Sequence, residues 1–230
     1  YTRYASPFGR QRVSPISRHQ NFLYRPDNSV LFLPGLPGSG GTITDFSGNG
    51  NHGTITGAVW TQTPTGLLYL DFDGTDDKIE CGAGITATPS VFTYKFWVKP
   101  ATTVAVSLMS KGIGVQTNGI DININTGKLR LTKIDVDHIM TSANNVSTTA
   151  WSHCVLTRDT TPAWTMYINN VSEASSANAA TIDGQVTVIR NGQYGQGDAV
   201  LMALPAIFSI AWTTQQIANS FNQERHLFGV

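Results

Sequence analysis

The segment Asp45-Phe-Ser-Gly-Asn-Gly-Asn-His-Gly53 gathers short oxygen-bearing side chains between three glycines. Carboxylate, amide and backbone carbonyl oxygens are the ligands that Ca²⁺ takes from protein loops. Asp45, Asn49 and Asn51 are therefore a candidate structural calcium site. The same side chains can instead satisfy backbone groups of a glycine-rich turn without any metal. The residues alone leave both alternatives open.

Hydrolysis of a glycosidic bond needs two carboxyl groups placed across that bond. The glutamates of this chain are Glu80, Glu173 and Glu224, and they lie in three separate segments. The aspartates of Asp73-Gly-Thr-Asp-Asp77 cluster at a turn, where aspartate is a turn former before it is a catalyst. The five histidines have no metalloprotease spacing, and no nucleophile elbow or phosphate loop occurs. We therefore predict that the protein is not an enzyme.

Short apolar segments recur from residue 29 onward and are separated by turns rich in Gly and Pro. The alternation in Ile120-Asp-Ile-Asn-Ile124 is typical of a strand with one face in a core. Many short strands and almost no helix predict an all-β jelly roll, a sandwich of two antiparallel sheets. The strands are predicted at 29–33, 54–60, 67–73, 78–82, 91–98, 104–110, 119–124, 128–134, 153–158, 164–169, 185–190 and 200–210.

One short C-terminal helix is predicted from Thr213 to about Gln223. Thr213 as N-cap places Gln216 at the third helical position, which completes a capping box. Ile217 and Phe221 follow with the i, i+4 spacing of an apolar stripe that packs on a core.

Residues 1–26 contain five arginines and no acidic residue, although the whole chain has a formal net charge of zero. This stretch shows no strand or helix periodicity, so it predicts a basic extended arm before a β-sandwich domain over residues 27–230. A few scattered arginines without lysine are a weak footprint for nucleic acid. We expect the arm to dock on neighbouring structural proteins or on copies of the same chain. Its arginines are Arg3, Arg10, Arg12, Arg18 and Arg25.

Several motifs, in a fixed order, resemble laminin-G-like domains of the concanavalin A-like lectin/glucanase superfamily. Each motif alone is weak, but this many in the right order, spread over most of the chain after residue 30, make a strong match. The resemblance implies a lectin-like jelly roll that binds glycans. The matching segments are Asp45–Gly53, Phe72–Asp77, Phe92–Pro100, Ser110–Gly112, Gly127–Leu131, Trp151–Thr157 and Met166–Val171.

This resemblance also bears on the candidate sites. The Glu-x-Asp-x-x-Glu motif of catalytic members is missing, and the segment Leu201–Phe208 has none of the acids that relatives often carry there. Trp97 and Trp151 occupy family positions that usually pack in the core. Sugar recognition would therefore use other aromatic faces with polar neighbours. We predict a carbohydrate contact set of Tyr194, Trp164, Gln193 and Asp198, centred on the polar loop 191–198.

Two functions follow as expectations. The first is a non-catalytic structural and adhesion protein, a subunit of a surface assembly such as a virion decoration, a capsid-associated protein or a filament. Its arm would fasten it to neighbours, and cell-surface glycans would be a further ligand. The alternative is a monomeric carbohydrate-binding module of a secreted protein. Both imply an extracellular or virion-surface location, and no apolar run approaches the ~20 residues that span a membrane.

The cysteines, Cys81 and Cys154, both fall in predicted strands. A cross-strand disulfide and two buried free thiols are both compatible with the sequence.

Overall fold

The computed structural model describes residues 28–35, 40–81, 85, 91–111, 119–133, 137–161, 163–178, 187–189 and 198–230. The predicted arm, residues 1–26, lies outside this part of the chain, and so does most of the loop 191–198.

Eight antiparallel strands form the first sheet, which we call sheet I. Its strands are β1 (Ser29–Phe32), β4 (Val59–Gln62), β5 (Leu68–Phe72), β7 (Phe92–Pro100), β12 (Ser152–Arg158), β13 (Trp164–Ile168), β14 (Val171–Ser176) and β16 (Val200–Phe208). Their order in the sheet is β14-β13-β12-β7-β16-β5-β4, and β1 pairs with the second half of β16.

Eight further antiparallel strands form sheet II. They are β2 (Thr42–Ile43), β3 (Gly53–Thr56), β6 (Lys78–Cys81), β8 (Val106–Lys111), β9 (Ile120–Asn125), β10 (Lys128–Lys133), β11 (Asp137–Asn145) and β15 (Thr187–Ile189). Their order in the sheet is β11-β10-β9-β8-β15-β6-β3-β2. The two sheets pack face to face, so the predicted jelly-roll sandwich is confirmed.

The main core lies between the sheets and follows the alternation of the strands. Ile120, Ile122 and Ile124 of β9 point into it, whereas Asp121 and Asn123 lie on the opposite face of sheet II. Burying one large aliphatic side chain stabilises a fold by about 1.5–3 kcal/mol, so this alternation fixes the strand register.

A second apolar cluster covers the other face of sheet I, where helix α1 (Thr214–Phe228) packs. Thr213 and Gln216 form the predicted capping box, and Gly229 ends the helix at a positive φ of 70°. The helix is thus longer than predicted. Ile217, Leu227 and Phe228 bury its apolar stripe against sheet I.

One strand prediction was wrong in an informative way. The predicted strand 54–60 is two strands, β3 in sheet II and β4 in sheet I, and the chain crosses between the sheets at Gly57. Gly57 has a φ of 74°, a left-handed conformation that glycine adopts without steric cost. The sequence prediction also missed β11 and β14, which are edge strands of polar composition.

Candidate functional site

The Asp45 loop covers an edge of strand β1. Asp45 is buried, and its Oδ1 accepts hydrogen bonds from the backbone N–H groups of Phe32 and Ser47, both at 2.9 Å. Its Oδ2 accepts from the Ser47 hydroxyl at 2.7 Å and from the Asn51 N–H at 2.9 Å. The side-chain amides of Asn49 and Asn51 donate to the carbonyls of Ser29 and Val30 at 3.0 and 2.9 Å.

These bonds occupy the positions that a neighbouring strand would take along the edge of β1. An uncovered strand edge is a template for unwanted pairing, and loops that cover it prevent this. The geometry therefore assigns Asp45, Asn49 and Asn51 a structural part, which was the metal-free alternative in the sequence analysis. Among the described residues, no three His, Cys, Asp or Glu side chains are grouped so that they could hold a metal ion. Calcium binding at this loop stays a prediction.

Two of the four predicted carbohydrate contacts, Trp164 and Asp198, belong to the described part of the chain. Trp164 is fully buried, so its proposal as a displayed sugar contact was wrong. Its indole N–H donates to the carbonyl of Asn178 at 2.9 Å, and its ring packs against Phe92 inside the sandwich. Tyr194 and Gln193 lie outside the described residues. Asp198, two residues before β16, is half-buried and accepts a hydrogen bond from the hydroxyl of Thr102.

A groove of 240 Å³ lies on the outer face of sheet I, and the residues that follow Asp198 in the chain form part of its lining. Leu201, Val200 and Pro100 supply apolar lining, and the charged side chains of Asp71 and Lys99 line it as well. Leu201 stands between them in the sheet, because it pairs with Asp71 on β5 and with Lys99 on β7. Among the residues that the structure describes, neither Asp71 nor Lys99 belongs to an ion pair.

Aromatic side chains continue from this groove toward α1. Tyr69 lies two residues before Asp71 on the same face of β5, and its ring meets Trp151 edge-on at 5.2 Å. Partial burial raises the pKa of the Tyr69 phenol, and the nearby Asp71 carboxylate adds to this. Partial burial also raises the pKa of Asp71 itself, with a contribution from the charges of Asp77 and Asp73. The groove therefore combines an apolar floor with two half-buried charged residues, Asp71 and Lys99.

A cluster of polar side chains lies between α1 and sheet I and is completely buried. Lys95 and Glu224 form an ion pair of 2.6 Å, and the Trp97 indole N–H donates to the other oxygen of Glu224 at 2.7 Å. Beside them, Nε2 of His153 lies 3.1 Å from the Ser220 hydroxyl. Sequence reasoning missed this cluster. Its one local signal was Glu224 at the i, i+7 position from Ile217, on the stripe that faces the sheet.

The carboxylates considered for glycoside hydrolysis are not brought together by the fold. Glu224 is buried on the face of α1 that packs against sheet I. Glu80 forms an ion pair with Lys78 at 3.0 Å on sheet II. Glu173 accepts a hydrogen bond from the backbone N–H of Asn144 at 2.7 Å. In the Asp73–Asp77 turn, Asp77 is buried and accepts a hydrogen bond from the backbone N–H of Asp73.

Cys81 and Cys154 are both buried free thiols. Burial raises the pKa of the Cys81 thiol to about 12, and the charge of Asp45 adds to this effect. Burial likewise raises the pKa of Cys154, followed by the charge of Glu173. Both side chains are therefore inert apolar fillers of the core.

The geometry thus defines an antiparallel β-sandwich whose helix-bearing face carries a groove with an apolar floor and two charged side chains. Residues 73–218 match a laminin G model of the concanavalin A-like lectin/glucanases superfamily. Because this match spans more than half of the chain, the protein belongs to that family. A comparison with curated proteins gave no match.

Solved structures show the same fold. The binding domain of Paraclostridial Mosquitocidal Protein 1 superposes with a TM-score of 0.69 at 20% identity, covering 85% of this chain and 52% of its own. The binding domain of botulinum neurotoxin serotype D gives 0.67 at 13% identity, with 86% and 51% covered. The ligand-binding domain of the same serotype in complex with N-acetylneuraminic acid gives 0.64 at 13%, with 91% and 52% covered.

The chain spans about half the length of these structures, and at such identities the likeness shows the fold alone. Within the described part of the chain, no helix is both long and apolar enough to cross a membrane.

Proposed function

We propose that this chain is a non-catalytic carbohydrate-recognition domain that binds the end of a glycan in the groove between Asp71 and Lys99. The observation that carries the proposal is two charges of opposite sign beside an apolar floor, neither of which is in an ion pair within the described part of the chain. Binding sites for small ligands typically combine apolar lining with a few well-placed polar groups. A sugar ring presents the same combination, since its C–H face is apolar and its hydroxyl groups both donate and accept hydrogen bonds.

The size of the groove also fits this ligand class. Its 240 Å³ lies below the ~300–1,000 Å³ typical of sites for drug-sized molecules, which favours a terminal sugar over a long chain. The ammonium of Lys99 would donate to hydroxyl or carboxylate oxygens, and the carboxylate of Asp71 would accept from hydroxyl groups. A neurotoxin domain of the same fold has been solved with N-acetylneuraminic acid, which makes sialylated glycans a sensible part of the first panel.

The test is a binding panel of immobilised neutral and sialylated glycans, probed with the full chain and with Asp71→Ala and Lys99→Ala. A hydrogen bond to a charged group contributes about 1.5–3 kcal/mol, so each variant should lose at least about tenfold in affinity. Asp76→Ala and Lys133→Ala are matched controls, since they make the same charge changes elsewhere on the surface. The proposal is wrong if no glycan binds, or if the groove variants bind as tightly as the controls.

A location outside the cell or on a virion surface is part of the same proposal. So is the role as a subunit of a surface assembly, with the arm of residues 1–26 docking on copies of the chain or on neighbouring structural proteins. The sequence supports the arm's role through five arginines and no acid in that stretch, against a net negative remainder. A monomeric recognition module remains the alternative.

A further inference from the structure

The polar cluster beneath α1 is completely enclosed between the helix and sheet I. Lys95, Trp97 and His153 of sheet I and Ser220 and Glu224 of α1 all have no exposed surface. Their contacts run between the sheet and the helix: Lys95 and Trp97 both bind Glu224, and His153 binds Ser220. The docking of α1 therefore depends on the charge state of buried groups.

His153 is the member of this cluster whose charge can change between neutral and mildly acidic pH. The charged and titratable groups around it are Lys95 on β7, Glu224 on α1 and Tyr167 on β13. Its Nδ1 is buried and has no hydrogen-bond partner within the described part of the chain. An imidazolium would need an acceptor at both ring nitrogens.

The pKa of His153 is accordingly held well below its usual value of 6.5, first by burial and then by the charge of Lys95. A base with a depressed pKa in the docked state stays neutral there. When the helix leaves, the imidazole meets water and regains its usual pKa. The docked state thus binds fewer protons, and its stability falls as the pH drops below 6.5.

The end of α1 is connected to the groove through a chain of ring contacts. Phe228 stacks on Trp97 with centroids 4.2 Å apart and contacts Trp151 at 5.0 Å. Trp151 in turn meets Tyr69 at 5.2 Å, and Tyr69 precedes Asp71 on the same face of β5. Loss of Phe228 from this row would remove a packing partner of Trp151, whose neighbour Tyr69 lies two residues from the groove residue Asp71.

We infer that α1 is a pH-sensitive latch, in which protonation of His153 weakens the docking of the helix on sheet I and thereby loosens the groove. The effect on ligand binding rests on the function proposed above, whereas the release of α1 does not. The docking equilibrium should shift by up to about tenfold for each pH unit below 6.5, because one proton is taken up on release.

The first experiment needs no ligand. Near-ultraviolet circular dichroism of the full chain, from about pH 7.5 to about pH 5, reports the packing of Trp97 and Trp151 against α1. The wild-type signal should decrease in acid, whereas His153→Gln should hold it constant, because glutamine can still bind Ser220 but cannot become charged. His226→Gln on the exposed face of α1 is the matched control and should behave as wild type. An acid-independent wild-type signal, or an equal change in His153→Gln, overturns the latch.

Hydrogen exchange of the wild-type chain keeps the inference testable if His153→Gln does not fold. After correction for intrinsic rates, the amides of α1 should open up to about tenfold more often for each pH unit below 6.5, while those of β9 and β10 should not. Uniform opening of all these elements contradicts the latch.

Glycan binding then tests the link to the groove. Affinity should fall more in acid for the wild type than for His153→Gln, because protonation of Asp71 in the groove affects both chains alike. If no glycan binds at about pH 7.5, the proposed function fails, and the spectroscopic result still decides the latch. If α1 releases but affinity is unchanged, the coupling between latch and groove is wrong.

Discussion

Lys95 and Glu224 are 129 residues apart in sequence, yet the ammonium nitrogen of one lies 2.6 Å from a carboxylate oxygen of the other. Neither side chain has any exposed surface. Removing two charges from water costs several kcal/mol for each ion, and their attraction repays this only when the geometry and the remaining hydrogen bonds are good. The indole N–H of Trp97 supplies one such bond to Glu224. The pair therefore fixes how α1 sits on sheet I.

Glu224→Gln should destabilise the protein strongly, because it leaves the Lys95 ammonium buried without a counter-charge. We expect a loss of about 3–5 kcal/mol in the free energy of unfolding, measured with urea. The double variant Lys95→Met/Glu224→Leu should recover most of this loss. Glu80→Gln is the matched control, since its pair with Lys78 at 3.0 Å is partly exposed and should cost no more than about 1 kcal/mol. Equal losses at the two glutamates would contradict a buried pair.

This pair also marks the limit of what the sequence could predict. The helix start was predictable because Thr213 and Gln216 are neighbours in sequence, and a capping box is a local pattern. The alternation of Ile120, Ile122 and Ile124 was equally local. The contact between Lys95 and Glu224 depends on how β7 and α1 meet in space, and no spacing along the chain records that.

The same reasoning explains the candidate sites. Asp45 and its neighbours were singled out correctly as a built loop, but its partner, the edge of β1, belongs to another segment. Trp164 was misplaced although its strand carried a local signal, since Trp164, Met166 and Ile168 share one face of β13 and all three point into the core. The groove itself joins Asp71, Lys99 and Leu201 from three strands that are adjacent only in the folded sheet.

Asp45→Ala should destabilise the sandwich, since it removes the acceptor of four hydrogen bonds and leaves the buried N–H of Phe32 unpaired. We expect a loss of about 2–4 kcal/mol, with thermal unfolding as the measurement. Asp76→Ala, at an exposed position, should change the free energy of unfolding by less than about 0.5 kcal/mol. A small effect at Asp45 would mean that the loop does not hold β1.

The calcium prediction is checked with the wild type and with Asp45→Ala. If Asp45, Asn49 and Asn51 bind Ca²⁺, added calcium should raise the melting temperature of the wild type by mass action, and a chelator should reverse this. Asp45→Ala should then lose the calcium response. An unchanged melting temperature with calcium and with chelator leaves the loop a purely hydrogen-bonded structure.

Asp121 should make stability fall as the pH rises. Burial raises its pKa to about 6 from 3.8, although hydrogen bonds from Ser107 and Asn123 act in the other direction. The folded state therefore holds its proton more tightly than the unfolded state, and between these two pH values up to about 3 kcal/mol of stability is lost. Asp121→Asn should flatten the dependence in that window, as measured by urea unfolding at several pH values. The effect is opposite in sign to that of His153, so a single pH series on the two variants separates them.

Gly57→Ala tests the crossing between the two sheets. A Cβ at this position would lie 1.9 Å from a carboxylate oxygen of Asp77, and the φ of 74° is left-handed. Gly48→Ala is the matched control, because its φ of 90° is also positive but a Cβ there would meet nothing within 4 Å. The control should cost about 1 kcal/mol from backbone strain alone. The Gly57 variant should cost clearly more, and equal melting temperatures would show that Asp77 moves aside freely.

Deletion of residues 1–26 decides between the assembly subunit and the monomeric module. These residues carry a charge of +5, and the rest of the chain carries −5, so copies of the chain attract one another if the arm of one reaches the body of the next. We expect the full chain to form a large particle in light scattering at low salt. The deleted chain should be a monomer with an unchanged melting temperature. Replacing the five arginines by glutamine should dissociate the particle in the same way if charge is the cause. A full chain that is already monomeric would contradict the assembly role and leave the recognition module as the function of this sandwich.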